Sequence, residues 1–176
     1  MAAILVVMLM ISGIGQVTGF TYRFIEPIKA WAIHKAMALA LVASLIIHVT
    51  FVFFDHFVIF SLPQVLVPFM SHYNNGTRLL GLALGSLAIS FGIFAAYGIL
   101  AIVASSLGWI DSKQKAWRWI HYASYPVATL VFLHVLYSGT DVKYGTFRLA
   151  WIALGFVVVA GIVSRLRRAG TLKANK

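Results

Sequence analysis

WAIHKAMALALVASLIIHVTFVFF, residues 31–54, is an apolar run long enough to cross a bilayer, and it carries two histidines, His34 and His48, fourteen residues apart. Along an α-helix that spacing rises about 21 Å. A second apolar run, AWRWIHYASYPVATLVFLHVLYSG at 116–139, holds His121 and His134 thirteen residues apart, a rise of about 19.5 Å. Two such helices running the same way present imidazoles to each other at two matching depths. Ionisable side chains inside a membrane are rare and costly, which makes a functional role their default reading.

The rest of the chain extends the same character. Of 176 residues 61% are hydrophobic and only 10% charged, with a mean hydropathy of +0.93, an integral membrane composition. Apolar stretches take up almost the whole length, leaving no room for a soluble catalytic or nucleotide-binding domain of on the order of 100 residues. The chain has no cysteine, so thiolate ligands, iron–sulfur clusters and disulfides are excluded and histidine is the one strong haem or soft-metal ligand. The net charge of +10 sits at the ends of apolar segments rather than in one interleaved patch, so no nucleic-acid partner is expected.

At roughly 20 apolar residues per crossing, five spans are expected, at 3–20, 31–54, 79–108, 116–138 and 147–164. The fold class is therefore all-α, an integral membrane helical bundle in a lipid bilayer. The first span is short and carries Gln16 and Thr18, and its start lacks the basic region of a cleaved signal peptide. Eleven of the fourteen Lys and Arg fall on one side: Arg23, Lys29, Lys35, Lys113, Lys115, Arg118, Arg165, Arg167, Arg168, Lys173 and Lys176. Only Arg78, Lys143 and Arg148 fall on the other. The positive-inside rule then puts the N-terminus outside and the C-terminus in the cytoplasm. Spans two and four become parallel, which sets His34 level with His121 and His48 level with His134. The long link at 55–78 is too apolar for a free loop and is expected along the outer interface, with His56, His72 and Arg78 on it. Gly81 and Gly85 form a small-xxx-small pair suited to close helix contact.

A metal held at each level would have two imidazole ligands, fewer than structural zinc usually takes but the number a haem iron requires on its two open faces. The azimuths are less simple. At about 100° per residue His48 returns to within about 40° of His34, whereas His134 falls about 140° from His121 on a straight helix. Pro126 lies between the latter two and is expected to kink or rewind the helix. Lys35 and Arg118 flank the His34 level and suit either haem propionates or the positive-inside pattern. Trp117, Trp119, Tyr122 and Tyr125 suit either a macrocycle or an interfacial aromatic belt. A haem-free transporter or assembly subunit, its histidines in proton relay or helix packing, is the alternative from a different class. A haem sensor or scaffold without turnover is a third.

The segment at 116–139, with its Trp-rich approach, His121, the Tyr125–Pro126 pair and a second histidine thirteen residues on, resembles the ferric-reductase-like transmembrane family. That family includes NADPH oxidases, ferric reductases and the haem subunit of the bacterial periplasmic methionine-sulfoxide reductase system. The resemblance runs from the second span onward, with His34 and His48 matching the other histidine helix. It implies two b-type haems, one between His34 and His121 and one between His48 and His134, and electron flow across a membrane, expected to be the bacterial cytoplasmic one, to ferric iron, dioxygen or an extracytoplasmic protein. Family members commonly have six spans, so one N-terminal helix is expected to be missing. Many continue into a flavin and NADPH domain, whereas this chain stops at Lys176. The expectation is an oxidoreductase electron-transfer subunit that meets flavin only through a partner, a cytoplasmic flavoprotein or other reductase.

Overall fold

A computed structural model describes residues 1–54, 59–74, 76, 78–79, 82–140, 142 and 144–174, with the backbone alone at 78–79, 82–83 and 168–174. Seven helices make up the bundle: α1 (Ala2–Thr18), α2 (Pro27–Phe53), α3 (Leu62–Leu66), α4 (Leu84–Gly108), α5 (Gln114–Tyr122), α6 (Ser124–Ser138) and α7 (Gly145–Ala174). Among the described residues the only extended structure is a two-residue ribbon, β1 (Arg78–Leu79) against β2 (Leu82–Ala83). Four helical segments are long and apolar enough to cross a membrane: Pro27–Phe53, Leu84–Gly108, Gln114–Ser138 and Gly145–Arg167. The chain is a multi-pass membrane protein of the all-α class. The expected first span is α1, an apolar helix of 17 residues, at the short limit for a crossing. It packs within the bundle against α2, α6 and α7.

Local chemistry sets the ends. Gly19 closes α1 in the left-handed region at φ 76°, a conformation that costs glycine nothing. Helix α2 begins four residues before the expected start because Pro27 occupies its first turn, where no N–H is needed. Glu26 and Lys29 pair beside it at 3.1 Å. Expected as one helix, 116–138 is two. Pro126 has no N–H to give the carbonyl of Tyr122, and the ladder breaks at Ala123, whose N–H turns back to Ile120 at 3.0 Å. It resumes when Val127 N–H meets the Ala123 carbonyl at 3.0 Å. Helix α7 runs on to Ala174, well beyond the expected 164, since its basic residues halt the membrane crossing but not the backbone ladder.

The core lies midway along the bundle. Val6, Leu41, Ala95, Ile99 and Val127 form one buried cluster drawn from α1, α2, α4 and α6. Leu41 stands halfway between His34 and His48, and Val127 nearly halfway between His121 and His134. The tightest pairing is α4 with α6, and glycine permits it, though not at the expected pair. Gly81 lies outside the described residues, and Gly85 is buried in the first turn of α4. A Cβ on Gly98 would instead meet Val127 Cγ2.

Gly98→Val should therefore destabilise the bundle by about 1–3 kcal/mol through overpacking. Gly108→Ala, whose Cβ would meet nothing within 4 Å, should stay within about 1 kcal/mol of the parent. Helical circular dichroism during thermal unfolding in detergent measures both, and equal behaviour of the two variants would refute the packing account.

Candidate functional site: two imidazole pairs

The structure brings the four histidines together in the expected pairs. The His34 and His121 ring centres lie 6.5 Å apart with planes tilted by 53°, and those of His48 and His134 lie 6.3 Å apart at 76°. Both pairings follow the same order along the chain, so α2 and the α5–α6 segment run parallel. Among the described residues α2 makes no extensive backbone approach to α5 or α6; it reaches the bundle through α1 and α4. A gap thus separates the two histidine-bearing segments, and the imidazoles project into it from both sides. A metal bound at roughly 2 Å from one nitrogen of each ring would space the ring centres roughly 6 Å apart.

Three of the rings have described surroundings. His134 Nδ1 lies 2.8 Å from the Ala88 carbonyl, which can only accept, so Nδ1 carries the proton and Nε2 is left as a bare lone pair. Ser138, one turn on, gives its hydroxyl proton to the His134 carbonyl and sits 3.2 Å from the same Nδ1. A Cβ on Gly92 would fall 2.6 Å from that nitrogen, so Gly92 is the seat of the ring. At the other level His34 Nδ1 is 3.2 Å from Ser12 Oγ, which also accepts a bond from Gln16 Nε2 at 3.1 Å. His121 lies against Trp117, with ring centres 5.3 Å apart, and Trp117 is held in turn by its Nε1–H bond to Ser106 Oγ at 3.0 Å. Among the described residues His121 Nδ1 is buried without a hydrogen-bond partner.

A cavity of about 600 Å³ opens at the His34–His121 level, within the size range of cofactor sites. Its walls include aliphatic residues of α1, α2, α4 and α6, the aromatic Trp31, Trp117, Tyr122 and Tyr125, and the polar Gln16, Ser106, Ser124 and Asp111. Lys35 and Arg118 both line it, as does Arg165 of α7, whose guanidinium lies 5.5 Å and 5.3 Å from the Tyr122 and Tyr125 ring centres. Trp119 does not line it and is 78% exposed, which leaves that residue to the interfacial belt. Among the described residues no cluster of three or more His, Asp or Glu side chains could hold a bare metal ion. His72 is exposed at the opposite end of the bundle; His56, Lys143 and the Arg78 side chain lie outside the described residues.

Sequence reasoning passed over Ser12, Ala88, Gly92 and Ser138, although Ser138 stands at the helical i+4 position from His134. Arg165, in sequence one charge of the basic face shared with Lys113, Lys115, Arg167 and Arg168 and suited to an acidic flavoprotein, lies instead in the wall of the cavity. Compared with family models, curated proteins and solved structures, the chain matches none.

Because the clash at Gly92 is with one ring, Gly92→Ala should cost about 1–3 kcal/mol in the parent and far less once His134 is alanine. A double-mutant cycle on unfolding in detergent reads this coupling. Additive costs would mean that Gly92 does not seat the ring.

Proposed function

We propose that this chain is a membrane di-haem cytochrome b. It would hold one b-type haem between His34 and His121 and another between His48 and His134, and pass electrons from a cytoplasmic donor to an extracytoplasmic acceptor. The observation that carries this reading is the pair of imidazole gaps, each of one-metal width, bridging segments that otherwise stand apart. Haem is favoured over a bare ion because each level provides two nitrogens and the macrocycle provides the remaining four. When bound, the two groups supply one-electron carriers at two depths.

The residues around them do the work expected of a haem protein. Ala88 fixes the His134 tautomer and points Nε2 into the gap, the outer-shell arrangement usual for metal-bound histidine. Ser12 holds the orientation of His34 through a hydroxyl that can serve either tautomer. The orphaned His121 Nδ1 would be an unexplained cost in a histidine kept only for packing. Lys35, Arg118 and Arg165 offer three cations to carboxylates at the mouth of the cavity. The excess of Lys and Arg at the His34 end supports a cytoplasmic location for that end, where the donor would be a flavoprotein or other reductase, in a membrane that would be the bacterial cytoplasmic one.

A second reading draws on the same hydrogen bonds: Ser12 with His34 and Ala88 with His134 would also satisfy packing histidines in a haem-free transporter or assembly subunit. Colour separates the two. Protein purified from haem-replete cells should show a low-spin b-type reduced-minus-oxidised spectrum, with its haem extractable into acid acetone because no cysteine tethers it. His48→Leu and His134→Leu should each remove the same haem, while His34→Leu and His121→Leu should each remove the other, with haem per chain falling by half. Folded protein that stays colourless, or partners that affect different haems, would overturn the proposal.

A further inference from the structure

Between α2 and α4, the described residues 66–71 of the link are bonded to the side of α4. The Leu66 carbonyl accepts a bond from Tyr97 Oη at 2.6 Å, and the Phe69 N–H donates to Ser90 Oγ at 2.8 Å. Phe69 also meets Phe94 edge-on, with ring centres 5.9 Å apart. These partners lie deep in a membrane span. Ser90 stands six residues and Tyr97 thirteen residues past the start of α4, roughly 9 Å and roughly 20 Å along its axis. Helix α4 is about 37 Å long against a hydrocarbon core of about 30 Å, so only a few ångströms of it stand outside the core at either end. Even with the tyrosine leaning back toward the start of its helix, the Leu66 carbonyl sits at acyl-chain depth.

The segment is built for that depth. From Ile59 to Met70 it carries no charged residue, and Ile59, Leu62, Leu66, Val67, Phe69 and Met70 are all exposed. Irregular backbone survives among lipid tails only if its polar groups are paired within the protein, and several of those in this segment are paired. Ser61 and Gln64 form a capping box at the start of α3, Val67 N–H returns to the Pro63 carbonyl at 2.8 Å and Met70 N–H to the Val67 carbonyl at 3.3 Å. Ser86 Oγ donates to the Ser71 carbonyl. Pro63 and Pro68 have no N–H to satisfy. Phe69 holds φ 67°, an unusual backbone for a bulky residue, with its N–H and ring both fixed on α4. Helix α3 contacts both α2 and α4.

We infer that residues 59–71 form a re-entrant element at the His48 end of the bundle, inserted among the lipid acyl chains of that leaflet and moored to the interior of α4 through Tyr97 and Ser90. The absence of native cysteine allows a direct test on the full chain reconstituted in phosphatidylcholine bilayers. Nitroxides are placed singly through Leu62→Cys, Leu66→Cys and Met70→Cys, with Leu100→Cys as the mid-span reference and His72→Cys as the aqueous one. Oxygen and a water-soluble nickel chelate serve as collision probes. Positions 62 and 66 should track 100, with nickel collision rates about tenfold below those at 72. Adding Tyr97→Phe should raise nickel access at 66 severalfold without changing it at 100. Nickel access at 62 and 66 equal to that at 72, or intermediate as for a segment at headgroup level, in variants that keep the parent's helix content would overturn the inference. If either cysteine disrupts folding, Val67→Cys, beside the Leu66 carbonyl, gives the same reading, while position 70, next to the Ser71 carbonyl held near the start of α4, should fall between 66 and 72.

Discussion

Pro126 cannot donate a backbone hydrogen bond, and the rest of the site hangs on the interruption it causes. A continuous helix would carry His121 and His134 on faces about 140° apart, so that at most one could look toward α2. The break at Ala123 divides the span into two short helices, each free to set its own azimuth, and both rings come to face the histidines of α2. A residue ordinarily destructive inside a helix is here the condition for two levels on one segment. The cost is confined to the Tyr122 carbonyl and its neighbours, where Ala123 turns its own N–H back upon the preceding turn.

Once the azimuths are set, glycine and serine decide how closely the helices come. Helix α4 approaches α6 because Gly98 yields to Val127 and Gly92 yields to the His134 ring. The same approach brings the Ala88 carbonyl to His134 Nδ1. That carbonyl belongs to a helical backbone, so a rigid element, rather than a mobile side chain, defines the tautomer. Helix α2 packs instead on α1 and makes no comparable approach to α5 or α6 among the described residues, which leaves the space into which the imidazoles project. Close packing on one side and a gap on the other are complementary parts of one arrangement.

Depth was legible in the sequence; direction and proximity were not. The fixed rise of a helix converts residue spacing into height, so the two histidine levels could be read from His34, His48, His121 and His134 alone, and the all-helical membrane class followed from composition. Azimuth depends on how a proline break resolves, and a linear pattern does not specify that. Nor does it distinguish Gly92, which seats a ring, from Gly108, which faces open space. The link after α2 was recognised as too apolar for a loop. Its contact with α4 depends on the Phe69 N–H bond to Ser90 Oγ and the Tyr97 hydroxyl bond to the Leu66 carbonyl, between partners more than twenty residues apart in sequence. Arg165 was missed for the same reason: its charge was visible, but its place beside Tyr122 and Tyr125 arises only when α7 folds back onto α5 and α6.

The cluster of Val6, Leu41, Ala95, Ile99 and Val127 sits between the two histidine levels. Its side chains offer no donor or acceptor to a water file and no ligand to an ion, so it acts as an insulator in the electrical sense. Val6, Leu41, Ile99 and Val127 also line the cavity at the His34 level, so the dry layer lies between that cavity and the His48 level, within the about 20 Å of axial distance between the two levels. A charge moved the whole way across works against about 2.3 kcal/mol for each 100 mV, and a step across that layer bears a share of it. Traffic between the two imidazole pairs would be electrogenic, its direction and rate answering to the membrane potential.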